Sequence, residues 1–227
     1  MSAEILLLLA LGMGNGLLHA LDADHVLAVS AVALGDKESN RKISKGILRT
    51  AVLWALGHGT SLVVLTTLAI GLGWAIPQRL SSVAEVLVGL ILIAAGGAIW
   101  AQLWRGRLRI SHHRHEGLPP HVHIHTEGHG HRSDHKPVLV GIVHGIAGGA
   151  PLLAVLPLMI SSQFLLATSY ILLFSASVAL MMCAFGGLLG SLVRWLGTTF
   201  EHGVTALQGL LGAQAIGFGC FWLWRAF

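Results

Sequence analysis

His19-Ala20-Leu21-Asp22-Ala23-Asp24-His25 places four ionisable side chains within seven residues, inside a run, 5–34, that holds no Lys or Arg. Each acid costs roughly 2.5–3.5 kcal/mol at the centre of a membrane helix, so a functional or paired role is the default reading. At 100° per residue His19, Asp22 and His25 fall at roughly 0°, 300° and 240°, within one arc, while Asp24 points to about 140°. An unbroken helix therefore cannot present all four groups to one ion. Either the helix unwinds locally, or Asp24 hydrogen-bonds an imidazole or holds a proton. Mixed roles, some groups on the ion and some behind it, fit the spacing best.

The rest of the chain explains why this stretch lies in a bilayer. The 227 residues are 54% apolar and 11% charged, with a mean hydropathy of +0.75. A soluble fold of that composition has too little polar surface to cover itself. A membrane helix needs about 20 mostly apolar residues. Six runs qualify: 5–34, 48–76, 83–104, 138–161, 164–193 and 204–224. The expected fold is thus an all-α integral membrane protein of about six transmembrane helices. No cationic segment precedes the first run, which opens Met1-Ser2-Ala3-Glu4, so it reads as a retained helix rather than a cleaved signal. Cys183 and Cys220 form no Cys-x-x-Cys pair and read as packing residues.

Charge sets the orientation. With the N-terminus outside, Lys37, Arg41, Lys42, Lys45, Arg49, Arg105, Arg107, Arg109, Arg114, Arg132, Lys136 and Arg194 face the cytoplasm, against Arg79 and Arg225 outside. The positive-inside rule then puts both termini outside a cell (inner) membrane and the loops 35–47 and 105–137 in the cytoplasm. This distribution accounts for the net charge of +4 without nucleic acid as a partner. Trp74, Trp100, Trp104, Trp195, Trp222 and Trp224 fall near the expected helix ends, as interfacial indoles do.

The two halves echo each other. Gly16-Leu17-Leu18-His19 recurs as Gly141-Ile142-Val143-His144, and Leu103-Trp104-Arg105 recurs as Leu223-Trp224-Arg225. Three crossings per half invert the second copy, giving an inverted 3+3 repeat: residues 1–104, a cytoplasmic segment 105–137, and residues 138–227. Secondary transporters built this way bind substrate near the midplane, on short or Gly-interrupted helices. Gly12, Gly14, Gly16, Gly145, Gly148 and Gly149 flank His19 and His144, and equally suit close helix packing.

His58, in Leu56-Gly57-His58-Gly59-Thr60-Ser61, and His144 add two more imidazoles to the apolar runs. Imidazole nitrogen with carboxylate oxygen suits nickel, cobalt, zinc or manganese and suits copper(I) poorly. The bland alternative is a buried His/Asp network that only pins helices together. His19-x-x-x-x-Asp24-His25 in one membrane helix, followed by Leu56-Gly57-His58 in the next, resembles the nickel/cobalt transporter superfamily. The wording His-Ala-Leu-Asp-Ala-Asp-His is closest to its urease-accessory (UreH-type) membrane proteins. The resemblance covers chiefly residues 12–61 and the helix around His144. It implies that His19, Asp24 and His25 select and carry the metal, with His58 a further contact and Asp22 matching the motif. Typical members have about eight helices rather than six, and the second motif here reads Gly-His-Gly-Thr-Ser.

Between the halves lie His112, His113, His115, His121, His123, His125, His129, His131 and His135. With Pro119 and Pro120 this reads as a flexible cytoplasmic loop whose imidazoles bind divalent metal loosely, for storage, sensing or hand-off.

These readings converge on a non-enzymatic permease for a divalent transition metal, Ni2+ or Co2+ as transported substrate, with no organic cofactor. No Gly-x-x-x-x-Gly-Lys-Ser/Thr phosphate loop occurs, so any nucleotide-driven power needs a partner subunit. Efflux, or a membrane accessory role alongside a metallochaperone or urease/hydrogenase maturation proteins, are the nearest alternatives. An intramembrane metallohydrolase is the most distant, since His-Glu-x-x-His is missing.

Overall fold

The computed structural model describes residues 3–35, 43–72, 78–106, 108–113, 121–126, 135–148, 164–200 and 202–226. In chain order they form α1 (Ala3–His19), α2 (Ala23–Gly35), α3 (Ile43–Leu72), α4 (Gln78–Trp104), β1 (Leu108–His113), β2 (His121–Thr126), α5 (His135–Ala147), α6 (Phe164–Thr199) and α7 (Gly203–Ala226). Among these, four helices (α3, α4, α6, α7) are long and apolar enough to cross a membrane. A fifth crossing results if α1 and α2, bent by 52° across their short break, are one span. The chain is therefore a multi-pass membrane protein, and its described residues are helical apart from one small two-stranded pair. The expected 138–161 crossing begins in α5 and continues into 149–163, outside the described residues.

Two local expectations need correction. The segment 105–137 is not irregular throughout: β1 and β2 pair antiparallel, with His113 opposite His121 and Ser111 opposite His123. His135 belongs to helix, as the first residue of α5, where it is exposed. His115, His129 and His131 lie outside the described residues, as do Trp74 and Gly149.

The long run 5–34 divides at His19. Leu21 N–H bonds to Leu18 O and Asp22 N–H to His19 O, both at 3.0 Å, a tighter i to i−3 turn. Val26 N–H then bonds to Asp22 O at 3.1 Å, which starts the next α-helix. The polar residues of the opening motif thus sit at and just after a helix break, where backbone groups freed from the ladder need local partners.

α2 is the central element. His25, Leu27, Ala28, Val29, Ser30, Ala31 and Leu34 are all buried, around most of its circumference, as in a helix enclosed by others. It contacts α3, α4, α5, α6 and α7. At its far end Gln102 of α4 donates to Gly35 O (3.0 Å) and Gln208 of α7 to Leu34 O (3.5 Å), satisfying carbonyls that a helix C-terminus leaves orphaned.

Glycine lets the other helices meet backbone to backbone. A Cβ at Gly141 of α5 would collide with the Trp54 carbonyl of α3, and one at Gly16 of α1 with the Phe174 carbonyl of α6. In lipid, where apolar surface gains nothing by leaving its solvent, such close approach supplies the van der Waals contact that holds helices together. Both readings of the glycines meet here, since the close crossings also carry the polar cluster.

Candidate metal centre

Four imidazoles converge where these crossings meet. His58 lies midway along the 30-residue α3, a helix about 45 Å long, which sets it far from either end. It is fully buried, and His25 and His144 are each 2% exposed. The break after His19 brings the end of α1 beside the start of α2, so the His19 and His25 rings approach to 4.5 Å between centroids. His25 stands 5.2 Å from His58 and 5.7 Å from His144 on the same measure.

One ligand nitrogen from each of His19, His25 and His58 lies within 4.8 Å of the other two. His25 Nε2 and His58 Nε2 are 3.3 Å apart. Two nitrogens bound about 2.0–2.1 Å from a tetrahedral ion stand about 3.3–3.4 Å apart, so this pair is already spaced for a shared ion.

Three of the rings are held from behind. His19 Nδ1 lies 2.8 Å from Asp22 Oδ2, and His25 Nδ1 lies 3.0 Å from Asp24 Oδ1, which also accepts from the His25 backbone N–H. The Asp24 contact is off the ring's donor direction, so it holds His25 more by charge than by a straight hydrogen bond. His144 Nδ1 is 2.8 Å from Val140 O; a carbonyl only accepts, so Nδ1 carries the proton and Nε2 keeps its lone pair. An oxygen on one ring nitrogen fixes tautomer and ring orientation while the other nitrogen stays free to ligate, the usual arrangement behind metal-binding histidines. His19 Nε2 and His144 Nε2 are buried without a hydrogen-bond partner, as is His58 Nδ1. Bare buried nitrogens of this kind are costly unless something binds them.

The acids thus divide from the imidazoles. Asp22 is 54% exposed at its side chain and engages His19; Asp24 is 14% exposed and engages His25. Asp22, Asp24 and His25 also form a second, more open trio within coordinating distance of one another.

Trp54 closes one side of the cluster and was not singled out by the sequence. Its ring stacks on His58 (5.0 Å) and meets His25 (5.1 Å) and His144 (5.6 Å). It is an indole in mid-span rather than at a helix end, four residues and so about one helical turn before His58. Phe174 of α6 covers His19 from the other side at 5.3 Å. Both belong to an apolar cluster with Ala20, Val29, Ala55, Leu62, Val178 and Met182.

The described backbone puts His112, His113, His121, His123 and His125 in the hairpin. It is a separate element from the imidazole cluster, lying against α3 and α6 through β2.

Comparison with known proteins gives one informative relative. The chain is 30% identical over 198 residues to the urease accessory protein UreH of Bacillus sp. (strain TB-90), covering 82% of this chain and 78% of that protein. No family model matches the chain, and no solved structure matches it significantly.

Proposed function

The chain belongs to the UreH-type family of urease accessory proteins, a nickel/cobalt transporter-like family, and from that premise we propose that it is a permease carrying Ni2+ or Co2+ into the cell. The observation that carries this reading is the buried group His19, His25 and His58, with His144 beside it and three of the four rings backed by oxygen.

In this reading the divalent ion is the substrate. His19, His25 and His58 ligate through free nitrogens, His144 offers a fourth from α5, and Asp24 balances part of the ion's charge in a dry site. Asp22 fixes His19 and, being exposed, offers a first oxygen contact at the helix break. The imidazoles ligate only while neutral, so binding releases any proton they hold. A divalent cation moving inward gains about 4.6 kcal/mol per 100 mV, enough for about 2000-fold accumulation without another energy source.

The reading includes the inverted 3+3 repeat, 1–104 against 138–227, with both termini outside and the histidine-rich segment 105–137 cytoplasmic. Equivalent helices of the two halves pack on each other, α3 on α6 and α4 on α7. The exchange of partners is also reciprocal: Gly16 of the first half meets Phe174 of α6, and Gly141 of the second meets Trp54 of α3. That reciprocity is what a two-fold axis in the membrane plane produces, and rocking of the halves about it would expose the imidazoles to each side in turn.

The relative's name supports a second reading, a membrane accessory protein that passes nickel to urease maturation proteins without moving it across the bilayer. Radioactive nickel uptake into sealed proteoliposomes at a set membrane potential separates the two. Potential-dependent entry that is lost in His58→Ala supports the permease. Metal binding in detergent with no entry for nickel or cobalt at any potential supports the accessory role and removes the permease.

A further inference from the structure

α7 has two seams along its length. Val204, Gln208, Gly212, Ala215 and Gly219 are buried and turn towards the rest of the bundle, chiefly α4 and α2. On the other side Leu210, Gln214, Gly217, Phe221 and Trp224 are all exposed. At 100° per residue these five fall within an arc of about 80°, centred about 160° from the buried seam. They recur in alternating steps of four and three residues, the repeat by which one helix packs along another. A helix already packed on one side thus carries a second packing pattern that nothing covers among the described residues.

Gln214 is the residue of that seam that hydrocarbon does not explain. It lies at the middle of the 24-residue α7, about 17 Å from either end and so close to the bilayer midplane. Exposed hydroxyls on the other spans bond back to their own helix, Thr67 to Val63 O, Ser169 to Leu165 O and Ser191 to Gly187 O. The Gln214 amide has no hydrogen-bond partner among the described residues. Lipid tails offer neither donor nor acceptor, so a bare amide at this depth is costly until another protein group meets it. Close to one turn further along, Gly217 has nothing within 4 Å of the place a Cβ would take, which leaves the helix surface open to close approach.

We propose that this seam joins two copies of the chain side by side in the membrane, with their Gln214 amides hydrogen-bonded to each other across a two-fold axis along the membrane normal. Two copies inserted in the same orientation bring Gln214 opposite Gln214 at one depth, because a two-fold interface pairs each patch with itself. A carboxamide both donates and accepts, so such a pair satisfies itself reciprocally. Any other partner would need a matching polar group at the same depth. Gly217 lets the two backbones close up, and Leu210 and Phe221 fill the flanks. A single polar position in an otherwise apolar seam also fixes the register of the pair. α7 carries none of the clustered imidazoles, so each copy keeps a complete set of its own. The proposal needs α7 to span the bilayer and does not depend on what the chain transports.

The test measures self-association of the full-length, fluorescently labelled chain in liposomes, by single-molecule photobleaching over a range of protein-to-lipid ratios. The native chain should form dimers. Gln214→Leu should raise the dissociation constant about fivefold to thirtyfold, the loss of one interhelical hydrogen bond or two. Gly217→Ile, which holds the backbones apart, should raise it as well. Leu188→Ala, on the exposed side of α6, should leave it unchanged. Geometry is read by oxidation in a chain carrying Cys183→Ser and Cys220→Ser: adding Gly217→Cys should give a covalent dimer, and adding Leu188→Cys should not. Monomers at every ratio would mean that lipid alone covers the face. Dimers equally stable in Gln214→Leu and Gly217→Ile would put the interface elsewhere; either result overturns the proposal. No step requires nickel, so failure of uptake in proteoliposomes would leave the outcome unchanged.

Discussion

His25 Nε2 and His58 Nε2 lie 3.3 Å apart across 33 residues of sequence, in a buried site. A neutral pair at that distance can share at most one proton, whereas a tetrahedral ion satisfies both lone pairs at about the same separation. The separation of the two nitrogens therefore fits a shared ion, as the proposed function requires. His58→Ala should remove tight nickel or cobalt binding, and His58→Gln, which keeps most of the volume but offers a poorer donor, should also fail. Isothermal titration of purified protein reads this directly; unchanged affinity in both variants would exclude His58 as a ligand.

The oxygens behind the rings make a separate prediction. Asp22→Asn and Asp24→Asn remove a charge while preserving size, so each should weaken metal binding by about 10- to 100-fold without unfolding the chain. Because Asp24 sits in the less exposed position, its substitution should have the larger effect. Titrations in the two variants, with circular dichroism as the control for folding, decide the order.

Backbone contact at glycine can be tested by contrast. Gly141→Val would drive a side chain into the Trp54 carbonyl, and Gly16→Val into the Phe174 carbonyl; each should destabilise by about 1–3 kcal/mol or more. Gly14→Ala and Gly187→Ala meet nothing within 4 Å and should be tolerated. Detergent-unfolding midpoints that failed to separate the two pairs would contradict the packing described for α1, α3, α5 and α6.

The end of α2 offers a subtler prediction. Gln102→Leu and Gln208→Leu each delete one hydrogen bond to a helix-terminal carbonyl and leave that carbonyl dry, at a cost of about 1 kcal/mol each. Since both clasp the same short helix, the double variant should depart from additivity. If the chain is the proposed permease, loosening α2, which carries His25 at its other end, should also lower nickel uptake into proteoliposomes.

Much of this was readable from residue order. The His19–His25 stretch announced itself because ionisable groups in an apolar run are expensive, and the 100° period showed that a straight helix could not aim all four at one point. The structure resolves that dilemma by both routes at once: the helix breaks at His19, and Asp22 and Asp24 take positions behind the imidazoles. The choice between routes depends on which carbonyls and rings lie nearby, and that information is not local. Trp54 was missed for a related reason. An aromatic in mid-span looks like any lipid-facing or core residue until the α5 crossing places His58 and His144 around it.

The sequence by itself determined that the chain lives in a membrane, which way its charge is biased, and that its two halves share a pattern. Those properties follow from the cost of transferring each residue into hydrocarbon, which sums along the chain without reference to fold. Only tertiary structure decided that His19, His25, His58 and His144 share one pocket, because their meeting depends on two helix crossings close enough to require glycine at positions 16 and 141. It likewise decided that part of the histidine-rich segment pairs as strands, since register between 108–113 and 121–126 depends on which backbone groups of the two strands face each other and not on composition.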